Sequence, residues 1–456
     1  MSGFAGDSLA DCYAAHLLHS LGIPTDSRDG GRDRSSDDLD AARDWAASGL
    51  MWLTGDPAGP PARSAHAVPS CASGALRALR AVCGDAPALP TDGAALLTER
   101  SAMLGFSRRG GVSANGTCHL LATADGLLAV NLARQSDWEV LPAWLEIERT
   151  VSDPADLAAL LRGRRGEQLL ARGQLLGLAV AREPRAAKPP RWYDFAPTGD
   201  RVPRREGGEP PLVVDLSSLW AGPLCSHLLH LAGARVVRVA SSRPDDGARV
   251  ASTAFFDLLD KGKTCAAVDF NDARGRGQLR RLLRQADIVI EGSRPRALRQ
   301  LGIDADAVLA ARPGRLWVSL TGHGRAGESG NRVAFGDDAA VAAGLLHRSR
   351  DGTAGFCGDA ICDPLTGLHA ALAATSLWRR GRGGLLSLNL RDVGAHCRSF
   401  YTCGETGVVV PADAPGQWAL QLHDQRFAVR RPCPGRARVR CAAEDTGDLV
   451  AEPRTL

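Results

Sequence analysis

The strongest constraint on the fold is a regular alternation of short apolar runs and helical segments between residues 211 and 322. The apolar runs occupy residues 212–216, 235–240, 264–269, 288–290 and 316–320. Short strands separated by helices are typical of a parallel sheet with right-handed crossovers. We therefore predict an α/β fold whose large domain is a Rossmann-like parallel sheet, with a ligand crevice at the carboxyl ends of its strands.

A second, small α+β domain is predicted for residues 111–180. The dipeptide Asp125-Gly126 stands between two apolar runs and predicts a hairpin. Helical apolar spacing follows at residues 137–145 and 154–162, and residues 177–180 are apolar enough for a short closing strand. A small sheet with accompanying helices accounts for this segment.

The length of 456 residues exceeds that of one ordinary domain. Residues 181–210 are rich in Pro and Arg without periodicity, and we interpret them as a linker to a large domain of residues 211–400. Residues 1–110 are predicted to be mostly helical. Residues 401–456 are predicted to be a C-terminal tail, because their periodicity is weak.

Composition argues against several classes of function. The chain carries 55 Lys and Arg against 51 Asp and Glu, a net charge of +4, so a strongly electrostatic nucleic-acid binder is not expected. We find no apolar run as long as a membrane span and no signal-peptide pattern, and we therefore predict a cytoplasmic protein without a membrane partner. The 12 cysteines form no CxxC pair, and their spacing indicates no metal site.

A carboxylate that could act in catalysis lies in the segment CGDAICDPLTGLH, residues 357–369. Asp363 stands where a helix is predicted to begin. Helix N-termini present N–H groups that stabilise an anion, and a carboxylate can act as a nucleophile. The alternative is that Asp363 is an N-cap, which accepts those N–H groups for a purely structural reason. Asp359 is a second candidate with the same alternative.

Asp363 also belongs to a series of motifs that spans residues 211–392. In chain order the motifs are VVDLSSLWAGPLCSHLLHLAGARVVRV, DKGKTCAAVDF, ADIVIEGSRPRALRQLGI, RLWVSLTGHGRAGE and GDAICDPLTGLHAALA. Together they resemble the family III CoA transferases, which include formyl-CoA and carnitine-CoA transferases and, on the same fold, 2-methylacyl-CoA racemase. Because the motifs occur in the family's order, the resemblance is more specific than any one of them.

The resemblance implies a chemistry for the site. In the family, the aspartate at the position of Asp363 attacks an acyl-CoA thioester and forms a mixed anhydride. The released thiolate then gives an aspartyl-CoA thioester, and an acceptor carboxylate completes the exchange. The implied partners are an acyl-CoA and a carboxylic acid, and coenzyme A enters as a substrate, so no separate cofactor is expected. The implied coenzyme A contacts are Ser218, Leu219, Trp220, Arg243, Lys263 and Arg294.

Other functions on the same fold stay open. An acyl-CoA racemase, isomerase or lyase is the first alternative, although Phe335 stands where the racemases have a histidine base. A non-catalytic coenzyme A-binding subunit is the second alternative. It is motivated by Trp220, which stands where formyl-CoA transferase has a glutamine.

Two stretches of the chain share a pattern, residues 45–82 and residues 340–375. Each contains an apolar helix, a Gly-rich loop and a second apolar helix. Superposing Gly74 on Gly367 places Ser70 opposite Asp363. We interpret the first stretch as part of a non-catalytic copy, because the carboxylate is absent from it. Chance similarity between two Ala- and Gly-rich stretches is the alternative.

The order of the segments differs from the family pattern. Residues 123–145 resemble the family's small domain, which normally follows the catalytic segment but here precedes the sheet. Residues 1–110 are therefore predicted to be a partial N-terminal copy of the coenzyme A transferase domain, in a rearranged chain. The family forms interlocked dimers, which implies a homodimer. Either one chain supplies both parts of the fold, or it exchanges parts with a partner.

Overall fold

A large sheet in the second half of the chain has an apolar core on each of its faces, and two smaller units precede it. The computed structural model describes residues 8–25, 33–84, 86–184, 191–204, 207–241 and 253–433. Val213 and Val214 are successive residues of one strand, and they are buried in different cores. Side chains alternate across a strand, so a strand covered on both faces is apolar throughout.

The first unit is helical, and the small unit that follows it combines helices with an antiparallel sheet. The helices of the first unit are α1 (Leu9–Ser20), α2 (Arg34–Ala47), α3 (Val68–Cys83) and α4 (Glu99–Leu104). The small unit contains β1 (Cys118–Thr123), β2 (Gly126–Asn131), α5 (Gln135–Leu145), α6 (Pro154–Leu161), α7 (Gly166–Leu175) and β3 (Ala179–Ala181). The predicted hairpin is formed by β1 and β2, and the predicted closing strand is β3, which pairs with β2.

The sheet unit follows the α/β alternation predicted from the sequence. Its elements are β4 (Asp194–Pro197), β5 (Leu212–Asp215), α8 (Ala221–Leu231), β6 (Arg235–Ser241), α9 (Thr253–Asp260), β7 (Thr264–Val268), α10 (Ala273–Gln285), β8 (Ile288–Glu291), α11 (Pro295–Gln300), α12 (Ala305–Ala310), β9 (Leu316–Thr321), α13 (Gly336–Ala343), β10 (Leu346–Arg348), β11 (Ala354–Phe356), α14 (Cys362–Arg379), β12 (Gly384–Asn389) and α15 (Leu390–Phe400). A small antiparallel sheet follows, made of β13 (Val408–Pro411), β14 (Trp418–Leu422) and β15 (Gln425–Ala428).

The large sheet has the strand order β4-β12-β9-β8-β5-β6-β7, and every neighbouring pair is parallel except β4 with β12. The α/β prediction is therefore confirmed.

Two details differ from the sequence-based expectation. Residues 194–197, inside the predicted linker, pair with the edge strand β12, whose main-chain groups are otherwise unpaired on that side. Residues 408–428, inside the predicted tail, form the small antiparallel sheet.

The strand order reverses direction at β5, and this places a crevice. From β5 the chain moves outward to β6 and β7, then returns to the opposite side of β5 as β8. The turns that follow β5 and β8 therefore emerge side by side at the same edge. A Cβ added at Gly292, after β8, would lie 3.0 Å from Cβ of Ser217, after β5. Ligands of open α/β sheets bind at such a reversal.

The helix α14 runs through the centre of the molecule. It packs between α8 of the sheet unit and α3 of the first unit, and it is buried along nearly its whole length. An apolar surface on all sides explains why its sequence has little amphipathic pattern. No helix in the described ranges is long and apolar enough to cross a membrane.

The two glycines that the sequence superposes make equivalent helix crossings. A Cβ added at Gly74 of α3 would lie 2.5 Å from the carbonyl oxygen of Ala10 in α1. A Cβ added at Gly367 of α14 would lie 2.7 Å from the carbonyl oxygen of Ala221 in α8. Each glycine therefore lets two helix backbones touch.

The partner helices also match in sequence, which our sequence analysis did not detect. Aligning Ala10 with Ala221 places AHLLHSLG, residues 15–22, opposite SHLLHLAG, residues 226–233. Five of the eight positions are identical, including both histidines. The α1–α3 and α8–α14 pairs therefore share a sequence register as well as a glycine contact. That these pairs arose as copies stays a prediction.

Candidate active site

Asp363 lies in the first turn of α14, one residue after the helix begins. The N-cap position belongs to Ile361, and no side chain caps this helix end. The interpretation of Asp363 as a structural N-cap is therefore wrong. Asp363 is partly exposed, whereas the residues that follow it in α14 are buried. Asp363 thus keeps some solvent exposure at the start of a helix that otherwise lies in the core.

The turn before α14 and the start of α13 enclose the Asp363 carboxylate. Ala360 has a left-handed backbone with φ 44°, which is uncommon for a residue with a Cβ. The Asp363 N–H donates to the Ala360 carbonyl at 2.9 Å. A Cβ at Gly336 would overlap both that carbonyl and Oδ2 of Asp363. Glycine is therefore needed at 336, because its bare backbone lines the carboxylate.

The carboxyl group of Asp363 titrates near neutral pH. The pKa of Asp363 is raised to about 7; burial is the largest cause, and the charges of Asp337 and Asp359 act in the same direction. The Arg100 guanidinium and the Gly336 backbone N–H lower the same pKa, because both favour the charged form. A poorly solvated carboxyl group that is partly ionised at neutral pH is suited to act as a nucleophile.

Two residues from outside the sheet unit contact the acidic groups around Asp363. Arg100 of α4 forms a two-pronged ion pair with Asp359, with N–O distances of 2.6 and 2.8 Å. Asn115, just before β1, donates to Asp337 at 2.6 Å and to Asp359 at 3.2 Å. The sequence analysis missed both residues, because their partners lie 222 to 259 positions away and no local pattern marks them. Within the described residues, no group of His, Cys, Asp and Glu side chains could hold a metal ion.

The turn after β5 carries three of the residues predicted to contact coenzyme A. Ser218 and Leu219 are exposed there, and Leu219 has a left-handed backbone with φ 67°. Trp220 is buried and packs edge-on against Phe255. The Arg100 guanidinium lies 4.8 Å from the centre of the Trp220 ring. Arg100 thus links the Asp363 turn to the crevice turn, where Ser218 and Leu219 face solvent.

Arg294 lies on the other side of the crevice, directly before α11. Its side chain is exposed in part, and burial together with the charges of Arg296 and Arg134 lowers its pKa. Arg296 belongs to α11 and Arg134 to the small unit, where Arg134 is paired with Asp137 at 2.6 Å. The structure therefore brings Arg294 and Ser218 to one crevice whose positive charge suits an anionic ligand.

Lys263 is placed differently from the expectation that it meets a phosphate. Its side chain is fully buried, and its ammonium group donates to the Pro223 carbonyl at 2.9 Å and to the Ser226 hydroxyl at 2.7 Å. Asp215 lies 3.6 Å away as a counter-charge. A cation enclosed by protein oxygens does not face a ligand, so this arrangement indicates an internal ion pair. The predicted contact at Arg243 lies outside the described residues.

Comparison with known proteins identifies the sheet unit. Residues 211–409 match the model of CoA-transferase family III. This part of the chain is therefore similar to CoA-transferase family III. An acyl-CoA transferase of Fusarium pseudograminearum is 30% identical over 191 residues, which cover 38% of this chain and 42% of that protein. The alpha-methylacyl-CoA racemase of Homo sapiens is 28% identical over 200 residues, or 41% of this chain and 49% of that protein. The crystal structure of a CAIB/BAIF family protein from Brucella suis aligns with a TM-score of 0.39 and 25% identity, over 48% of this chain and 64% of that one.

The chain spans about half the length of these curated relatives. Asp363, Ser218 and Arg294 lie inside the family III segment, whereas Arg100 and Asn115 lie outside it. The family segment therefore contains the carboxylate and the crevice. The residues that bind its acidic neighbours come from an earlier part of the chain.

The position opposite Asp363 in the first unit has a different chemistry. Ser70 of α3 is fully buried and donates to Oδ2 of Asp44 at 2.6 Å. Burial raises the pKa of Asp44. A hydroxyl group enclosed in this way has no access to a substrate, so Asp363 is the accessible member of the superposed pair.

Proposed function

We propose that this chain is an acyl-CoA:carboxylate CoA transferase and that Asp363 is its nucleophile. The observation that carries the proposal is the position of Asp363 within the family III segment. Asp363 is partly exposed and lies in the first turn of a helix, and its pKa is raised to about 7, mainly by burial. The substrates would be an acyl-CoA as donor and a carboxylic acid as acceptor.

The first half of the reaction would transfer coenzyme A to the protein. The ionised Asp363 attacks the thioester carbonyl, the C–S bond breaks, and a mixed anhydride and a coenzyme A thiolate result. The thiolate then attacks the Asp363 carbonyl of the anhydride, which releases the donor acid and leaves an aspartyl-CoA thioester. Dividing the exchange in this way replaces one difficult step by two easier ones.

The second half would repeat these steps in reverse with a different acid. The acceptor carboxylate attacks the aspartyl thioester and expels the thiolate, which gives a new anhydride. The thiolate attacks the acceptor carbonyl of that anhydride, and the products are the acceptor thioester and free Asp363. No net proton is consumed over the whole exchange.

The crevice turns offer a place for the anionic part of coenzyme A. Ser218 and Leu219 are exposed on one turn, and Arg294 on the other. Arg296 adds to the positive charge near Arg294. Phosphate groups are attracted to such a cluster, and the arginine fork can bind two phosphate oxygens at once.

A racemase on the same fold is disfavoured by the residue at the start of α13. Proton abstraction from C2 of an acyl-CoA and its return on the other face require two groups that exchange protons. Phe335, directly before α13, has a side chain that cannot accept a proton. The Arg134 guanidinium lies 5.8 Å from the centre of its ring. Transfer through Asp363 needs no second base.

The test is covalent trapping. The protein is incubated with a panel of acyl-CoAs, treated with hydroxylamine or borohydride, and analysed by intact-mass and peptide mass spectrometry. We expect a hydroxamate or a reduced side chain at Asp363, formed only with the true donor. Asp363→Asn preserves the shape of the side chain and should abolish both the adduct and the transfer. Asp351→Asn, in an exposed turn, is the matched control.

Three results would overturn the proposal. Coenzyme A transfer that persists in Asp363→Asn would exclude the nucleophile. Exchange of the C2 proton of an acyl-CoA without transfer would indicate a racemase. Tight coenzyme A binding with no adduct for any donor would indicate a binding subunit.

A further inference from the structure

The start of α14 is held by a residue that lies far away in the sequence. Arg100 of α4 binds Asp359 through both Nε and Nη2, with a fully buried carboxylate as its partner. The hydroxyl group of Ser101 donates to the same carboxylate at 3.0 Å. A bidentate ion pair fixes the orientation of the carboxylate as well as its distance from the guanidinium, which a single hydrogen bond does not.

A second connection fixes the other side of the same turn. Asn115 donates to Oδ2 of Asp337, and the remaining oxygen of Asp337 accepts the backbone N–H of Ala360 at 2.7 Å. This contact involves the residue whose backbone is left-handed. An unfavourable backbone persists only where its surroundings determine it, and here Asp337 binds Ala360 itself while Arg100 holds the preceding residue, Asp359.

We propose that Arg100 is a positioning residue for Asp363, supplied by a segment outside the family III part of the chain. The chain of contacts is short. Arg100 holds Asp359, the next residue is Ala360, and the Ala360 carbonyl accepts the N–H of Asp363. Releasing Asp359 would therefore free the turn on which the nucleophile stands. The inference rests on the proposed role of Asp363 in coenzyme A transfer.

Arg100 also sets the charge around the nucleophile. The charged groups that act on Asp363 come from three elements: Arg100 from α4, Asp337 from α13, and Asp359 from the turn before α14. Arg100 is the cation among them, and its effect on the pKa of Asp363 exceeds that of either carboxylate. Without it, burial and two negative charges would both favour the protonated carboxyl, which is not nucleophilic.

The same guanidinium reaches the crevice. Its centre lies 4.8 Å from the ring of Trp220, which supports the exposed turn at Ser218 and Leu219. Arg100 therefore contacts both the turn that carries the nucleophile and the turn predicted to bind coenzyme A. A residue in this place would fix the distance between the carboxylate and the thioester, to which reaction rates are sensitive.

The test compares three variants of the full-length protein. Arg100→Lys keeps the positive charge but cannot form the bidentate ion pair, and Arg100→Ala removes both. In Arg100→Ala/Asp359→Asn the ion pair is removed as a whole, so Asp359 does not remain as a buried charge without its cation, and this variant is the one expected to fold best without Arg100. Arg149→Ala removes an exposed arginine that pairs with Asp156 in the small unit, and it is the matched control.

For transfer, we expect kcat/KM to fall about 100-fold in Arg100→Ala, as for a misplaced reacting group. We expect a smaller fall in Arg100→Lys. The acid limb of the pH–rate profile should move to higher pH in the two variants that lack the cation, and stay in place in Arg100→Lys. In the double variant the limb still moves upward, because Arg100 acts on Asp363 more strongly than Asp359 does. A purely structural role would lower the rate without moving the limb.

A second measurement does not depend on transfer. Carbodiimide coupling of an amine requires a protonated carboxyl group, so the pH midpoint for labelling at Asp363, localised by fragmentation of its peptide, reports its titration. We expect this midpoint to rise in both variants without the cation. An unchanged midpoint together with an unchanged acid limb would overturn the inference. The midpoint could shift in the Arg100 variants while Asp363→Asn retains transfer. That result would support the contact between Arg100 and Asp363 and would refute only the proposed function.

Discussion

Asp338, a neighbour of the candidate nucleophile, shows how much the site depends on buried carboxyl groups. It is fully buried in α13, and Oδ1 accepts the N–H of Phe335 and the amide of Asn131. Oδ2 has no hydrogen-bond partner among the described residues. Burial raises the pKa of Asp338 to about 7. Its charged form is therefore destabilising, because ionisation puts a charge on an unpartnered oxygen.

The first prediction concerns the pH dependence of stability at Asp338. A carboxyl group with a raised pKa binds its proton in the folded state over a range where the unfolded chain has lost it. The contribution of Asp338 to the free energy of unfolding should therefore fall as pH rises from about 4 to about 7. Asp338→Asn keeps the acceptor and removes the charge, so it should stabilise the protein by more than about 1 kcal/mol at pH 8 and by little at pH 4.

Denaturant unfolding of both proteins across this pH range measures the difference. Asp156→Asn is the control, because an ion pair with Arg149 lowers the pKa of that exposed carboxyl and its removal should act weakly in the opposite direction. Equal stabilities of wild type and Asp338→Asn at pH 8 would contradict the assignment of a costly buried charge.

Among the helices, two crossings depend on the absence of a side chain. At Gly74 the backbone of α3 meets α1, and at Gly367 the backbone of α14 meets α8. In both crossings the nearest atom is a backbone carbonyl oxygen, which cannot rotate away as the end of a side chain can. Gly277 of α10 is different, because only the end of the Arg281 side chain lies near it, at 3.9 Å.

The second prediction is that one substitution has opposite effects in these helices. Gly74→Ala and Gly367→Ala should each destabilise the protein by about 1–3 kcal/mol, because the helices must separate to admit a methyl group. Gly277→Ala should stabilise it by about 0.5–1 kcal/mol, because alanine loses less backbone entropy in a helix. Thermal and urea unfolding of the three variants decides the signs. A neutral result at both crossings would show that the backbones do not need this contact.

In the molecule as a whole, the main core combines residues from segments that are far apart in the sequence. One cluster of buried side chains includes Tyr13 and Leu79 of the first unit, Leu368 of α14 and Leu420 of the last small sheet. The hydroxyl group of Tyr13 also lies 2.8 Å from Nε2 of His369. The small unit encloses a cluster of its own, and its sheet shares a further small cluster with α13 and β11.

The third prediction is that the first unit and the sheet unit unfold together. Because they share one core, neither can expose its apolar face without disrupting the other. Hydrogen exchange of α3 and α14 should therefore report the same opening free energy. The small unit should open at a lower one, because it has its own core. Protection of α14 that outlasts that of α3 by a wide margin would contradict the shared core.

The sequence alone determined the features that depend on neighbouring residues. Alternating apolar runs predicted the strands of the parallel sheet, since side chains of adjacent strand residues must enter opposite cores. A dipeptide with turn propensity predicted the hairpin of the small unit. The order of the motifs predicted the family, and it singled out Asp363, because a family motif is a continuous segment whose spacing survives in the chain.

Tertiary structure decided what depends on distant residues. Strand β4 was not predicted because its pairing depends on the free edge of β12, and not on a pattern of its own. The burial of Lys263 depends on Asp215, which lies on another strand. Arg100 reaches Asp359 across 259 positions. Contacts of this kind leave no periodic signal in the sequence. The residues next to an arginine do not show whether the fold will bring a distant carboxylate to it.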